Sequence, residues 1–118
     1  MPGQLRRNGE DQIQMAIAAA LDAAGVLWMH TPNEGRCSIQ EAKRRKARGV
    51  KAGVPDVLIF TPPYSYNGAA LELKAPKGRA SAEQQDWLDR LSDAGWATAV
   101  VYGLDEAREK LREWGYLR

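Results

Sequence analysis

Asp56, Glu72 and Lys74 are the residues whose types and spacing could do chemistry. Asp56 opens the apolar run Asp56–Phe60 (DVLIF), and Glu72 and Lys74 lie two apart in a second run, Ala70–Ala75 (ALELKA). Both runs read as strands, joined by the turn-rich TPPYSYNGA. Alternation puts Glu72 and Lys74 on one face of the second strand and Leu71 and Leu73 on the other, which assigns the leucines to the core. An antiparallel connection centred on Tyr64 sets Asp56 opposite Glu72, unless a bulge shifts the register. Two opposed carboxylates repel each other, and a divalent cation held between them removes that cost. Carboxylate oxygens, completed by water and phosphate, suit Mg²⁺ or Mn²⁺. Lys74 could then pair with a phosphate oxygen or polarise an attacking water. The competing reading is an exposed hairpin face with an ordinary Glu–Lys pair.

Glu10 lies three residues before Ile13 and seven before Ile17, so the buried stripe of the first helix begins with a carboxylate. It is a candidate for the same metal site, although an acid in a first turn is also favoured by the helix dipole. Asp11 shares that second reason and points off the stripe. His30 is a candidate general acid or phosphate contact, set against the commoner structural use of a histidine at a strand end. Asn33 and Glu34 have turn reasons to exist. Trp28, Trp87, Trp96 and Trp114 sit among apolar neighbours and read as core or interface. Pro62, Pro63, Tyr64 and Tyr66 make the hairpin loop stiff and aromatic.

The elements that must position these residues follow from periodicity. A first helix over about Asp11–Ala24 carries the stripe Ile13, Ile17, Leu21 and Ala24, is capped by Asn8 or Gly9, and ends at Gly25. A short strand spans Val26–His30, and a weakly helical basic segment runs from Ser38 to about Arg48. Ser81 opens a helix through a capping box with Gln84, its apolar side formed by Leu88, Leu91 and Ala94 with Trp87 beside them, and Gly95 stops it. A buried strand over Ala97–Tyr102 and a helix over Asp105–Trp114 complete the chain. The order α, β, (α), β, β, α, β, α implies an α/β domain, a mixed sheet with helices on both sides.

The 118 residues suit a single domain, and 44% apolar with 27% charged residues excludes wholesale disorder. No apolar run reaches the roughly 18 residues of a membrane span, and the N-terminus lacks a signal-like apolar stretch, so export is not expected. The single cysteine, Cys37, cannot form an internal disulfide, which fits a reducing cytoplasm; with one histidine it is also too little for a zinc finger. Charge is uneven. Residues 36–51 hold seven of the 17 basic residues (Arg36, Lys43, Arg44, Arg45, Lys46, Arg48 and Lys51) and one acid, Glu41. That block is +6 on a body of −4, a pattern suited to a phosphate-rich partner, though also to a solvated helix face.

Gly53-Val54-Pro55-Asp56, then Glu72-Leu73-Lys74-Ala75-Pro76, then Ser81-x-x-Gln84-x-x-Trp87-Leu88 together resemble the PD-(D/E)XK nuclease superfamily. Within it the chain resembles the virus-type replication–repair nuclease (VRR-NUC) domain in its stand-alone phage or bacterial form, over nearly its whole length. The resemblance implies a restriction-endonuclease-like core spanning residues 1–118. It also implies Asp56 and Glu72 as metal ligands supported by Glu10, Lys74 as the catalytic lysine, and a glutamine supplied by the motif helix. That glutamine falls on Gln84, with Gln85 as the alternative about 100° further round the helix.

The implied reaction is phosphodiester hydrolysis with Mg²⁺ or Mn²⁺, water attacking phosphorus in line. The resemblance to small stand-alone members implies a homodimeric, Holliday-junction-resolvase-like endonuclease acting on branched DNA. The alternatives are a flap or nicking endonuclease of the same fold, and a DNA-binding module without catalysis. The intact Asp56, Glu72 and Lys74 argue against the last.

Overall fold

The computed structural model describes residues 2–32 and 37–118, with side chains from residue 11 onward. The chain runs α1 (Pro2–Ala24), β1 (Trp28–His30), α2 (Ile39–Ala47), β2 (Val57–Ile59), β3 (Ala69–Lys74), α3 (Ala82–Asp93), β4 (Ala97–Tyr102) and α4 (Leu104–Glu113). The four strands form one sheet in the order β1-β2-β3-β4. β1 pairs antiparallel with β2, and β2 with β3, while β3 and β4 are parallel and joined through α3. The sheet is therefore mixed, flanked by helices, as the element order implies.

Every element expected from the sequence is present, with one sizeable shift. α1 begins at Pro2, not near Asp11, so Asn8 and Gly9 lie inside the helix and cap nothing. Proline is favoured at a helix start, where its missing N–H has no intrahelical role, and the residues after it are mostly good helix formers that carry the helix through Gly9.

One sheet face holds the core. Val57, Ile59, Ala69, Leu71, Ala97 and Val101 pack against Ile17 and Leu21 of α1 and Ala107 and Leu111 of α4. Burying the Val, Ile and Leu side chains among them stabilises the fold by roughly 1.5–3 kcal/mol each. Ala70 and Glu72 lie on the other face of β3, also buried, and Gln84 at the start of α3 reaches Glu72 there. Within α3, Leu88 is buried and Leu91 half-buried, whereas Ala94, expected on the apolar side, is exposed as the C-cap. α2 buries no residue. Among the described residues, no helix is long and apolar enough to cross a membrane.

Candidate active site

The observed register of β2 and β3 pairs Val57 with Leu71, Leu58 with Ala70 and Ile59 with Ala69. Continued one residue outward, it sets Asp56 against Glu72, in agreement with the hairpin centred on Tyr64. Asp56 reaches across to β3, where its Oδ2 accepts a hydrogen bond from the Leu73 backbone N–H at 2.8 Å. Its carbonyl accepts from the Thr31 N–H and from His30 Nδ1, each at 2.8 Å.

Glu72 is 2% exposed, and it is the buried charged residue of the described chain. Its Oε1 accepts a hydrogen bond from Gln84 Nε2 at 2.8 Å and lies 3.6 Å from Lys74 Nζ. Oε2 is buried without a hydrogen-bond partner among the described residues. Burial first, and then the charge of Asp56, push the Glu72 carboxyl up to about 7, while the Lys74 charge pulls the other way. One ammonium group does not offset two carboxylates and their desolvation.

Gln84 owes its position to the helix start. Ser81 Oγ accepts from the Gln84 backbone N–H at 3.1 Å, and Gln84 Oε1 accepts from the Ser81 N–H at 2.8 Å, completing the capping box. The carboxamide oxygen is thereby fixed on the helix end, and its nitrogen is left to reach Glu72. Gln85 is exposed and donates to Asp89 Oδ1 at 2.9 Å, so Gln84 is the glutamine at the site. The loop before Asp56 rests on the same helix end. Gly53 has φ +83°, and a Cβ there would come within 2.7 Å of the Glu83 carbonyl carbon. Trp87 Nε1 donates to the Ala52 carbonyl at 3.0 Å.

The structure thus brings Asp56, Glu72, Lys74 and Gln84 together. Glu10 lies in α1, but its side chain is outside the described residues, as is Arg36. The remaining basic candidates sit on or just after α2, whose N-cap Ser38 accepts from the Glu41 N–H at 3.0 Å. Glu41 lies 3.6 Å from each of Arg44, Arg45 and Arg48. Lys43, Lys46 and Lys51 are exposed. Sequence reasoning passed over Gln14, four residues after Glu10 on the stripe that continues to Ile17 and Leu21. Its carboxamide is buried without a partner among the described residues. It lines a cavity of about 490 Å³ with Asp11, Gln12, Met15 and His30. The i+4 spacing from Glu10 was the available signal.

The VRR-NUC domain family matches residues 8–105, a stretch that holds every one of these site residues. The chain belongs to the VRR-NUC family. Family membership implies a nuclease-type function. A solved structure of a protein described as a VRR_NUC domain protein is similar in fold, with a TM-score of 0.72 and 23% identity over 92% of this chain and 89% of that one. Among curated proteins, none matches.

The donor set fits a divalent cation. A carboxylate oxygen buried without a partner, beside a second carboxylate in register, is an electrostatic arrangement that a hard cation relieves. Among the described residues, no three His, Cys, Asp or Glu side chains converge as a complete ligand set.

Proposed function

We propose that this VRR-NUC chain is a Mg²⁺- or Mn²⁺-dependent endonuclease that cuts branched DNA, four-way junctions foremost, as a homodimer. The observation that carries the reading is the unpartnered Glu72 Oε2, buried opposite Asp56 and beside Lys74. Asp56 and Glu72 hold the cation, with Glu10 a third ligand from α1. Bound there, the cation supplies Lewis acidity to the scissile phosphate and lowers the pKa of water. Lys74, as an ammonium donor, would orient the attacking water or pair with a phosphate oxygen. Gln84 holds the Glu72 carboxylate in place through Oε1.

The exposed basic helix α2 supports a phosphate-rich partner, and its cations contact backbone rather than bases. A four-way junction has two-fold symmetry, so a dyad-related pair of sites reaches opposing strands at once. The exposed free Cys37 suits the cytoplasm of a bacterial or phage-infected cell.

The test incubates the protein with a synthetic junction, a flap, linear duplex and supercoiled plasmid, with Mg²⁺ or Mn²⁺ and then with EDTA. Paired cuts in the junction, dependent on metal, are expected, together with a particle of about twice the 13.1 kDa chain mass by light scattering. Asp56→Ala, Glu72→Ala and Lys74→Ala should each abolish cleavage. The carboxylate variants should also weaken Mn²⁺ binding, which Lys74→Ala should spare. Full activity in any of the three overturns the site assignment. A monomer that prefers flaps, or defined cuts in linear duplex, would replace the junction reading with the flap or nicking one.

A further inference from the structure

We propose that His30 is a positioning residue of this centre, holding Asp56 in place through its Nδ1–H; the inference rests on reading Asp56 and Glu72 as cation ligands. Asp56 stands one residue before β2 begins at Val57. The ladder that fixes the strand does not include it, so its backbone must be held by other means. Two donors at the end of β1 do so. The Asp56 carbonyl accepts from the Thr31 N–H and from His30 Nδ1, both at 2.8 Å.

A carbonyl oxygen has two lone pairs and can only accept. Both are used here, and His30 Nδ1 must therefore carry its proton. The carboxylate end of Asp56 is fixed independently by the Leu73 N–H on Oδ2, which leaves the other oxygen to the cation. Asp56 is thus held at both ends, once by β3 and once by the last turn of chain on β1. His30 itself is exposed and forms no part of the core, so core packing does not account for an imidazole at this point. What the ring supplies is a donor at one fixed place. Groups that orient a metal ligand in this way typically change metal affinity about 10–100-fold when removed.

The two ring nitrogens can be told apart by substitution. Asparagine places an amide nitrogen where Nδ1 stood, whereas glutamine places it where Nε2 stood. Calorimetric Mn²⁺ titration of the full chain should show His30→Ala and His30→Gln weakened about tenfold, and His30→Asn within about twofold of the parent protein. Saturating metal should restore the turnover of His30→Ala, so the defect appears as a shifted metal requirement. The melting temperature should change little, because the residue is exposed. The chain has one histidine. A long-range ¹⁵N–¹H spectrum of the metal-free protein therefore reports its tautomer without ambiguity, and the Nδ1–H form is expected whether or not a variant folds.

An Nε2–H tautomer overturns the proposal. So does glutamine rescuing where asparagine fails, or His30→Ala binding Mn²⁺ like the parent. If Asp56→Ala itself binds Mn²⁺ with parental affinity, the metal-centre reading fails first and the role of His30 falls with it, an outcome distinct from the others.

Discussion

Glu72 is an acid at a position packed like an apolar one. It is 2% exposed, and burial, followed by the Asp56 charge, raises its carboxyl from 4.5 to about 7. In the metal-free protein the folded state therefore binds a proton that the unfolded state has lost, in the window between those values. Stability from this group is full below about pH 4.5 and is lost as the pH rises through 7. The loss is on the order of a few kcal/mol. Melting temperatures from pH 4 to 8 in EDTA should fall with pH for the parent relative to Glu72→Gln, which keeps the acceptor for Gln84 but has no proton to lose. Mn²⁺ should remove the difference, because the ionised carboxylate is the form that binds a cation. A parent-minus-variant stability that rises with pH in EDTA would contradict this account.

Between elements, a tight backbone constraint is the seat of the Asp56 loop on the start of α3. Gly53 approaches the Glu83 and Gln84 backbone so closely that a methyl group would force them apart. The same helix turn presents Gln84 to Glu72, so the displacement reaches the site. Gly53→Ala should destabilise the protein by about 1–3 kcal/mol and reduce cleavage by up to about 100-fold, since misplacing a catalytic group by an ångström costs on that order. Gly49→Ala is the control. Gly49 has φ +97° but open space around it, so a substitution meets backbone strain of roughly 1–2 kcal/mol and leaves cleavage intact. Equal activity in the two variants would remove the link between this contact and the site.

At the scale of the whole molecule, charge and chemistry lie on different elements. Asp56, Glu72, Lys74 and Gln84 gather just before β2, on β3 and at the start of α3, whereas most of the basic residues of the 36–51 block ride on α2, which contributes nothing buried. Glu41 draws in Arg44, Arg45 and Arg48 at 3.6 Å, organising three guanidinium groups on one helical turn and offsetting part of their charge. Surface pairs of this kind are weak and yield readily to phosphate. With about five phosphates neutralised per chain, log K for DNA should fall with log salt at a slope of roughly −4 to −5. Neutralising Arg44, Arg45 and Lys46 together should flatten it. Fluorescence anisotropy in EDTA measures both, and an unchanged slope would put the DNA on another face.

Much of the site was legible in the residues because its signals are local or periodic. Two-residue alternation set the faces of β3, the symmetric hairpin set Asp56 opposite Glu72, and Ser81 with Gln84 announced a helix start. The family pattern added the roles proposed for Asp56, Glu72, Lys74 and Gln84. Other features were decided by tertiary structure alone. The choice of Gln84 over Gln85 depends on which side of α3 meets the sheet. The need for glycine at position 53 comes from a helix thirty residues further along, and the His30–Asp56 bond spans 26 positions. Periodicity records which way a side chain points within its own element. Contacts between distant elements are settled only when the faces pack, and there the exclusion of water and the meeting of backbones select the partners.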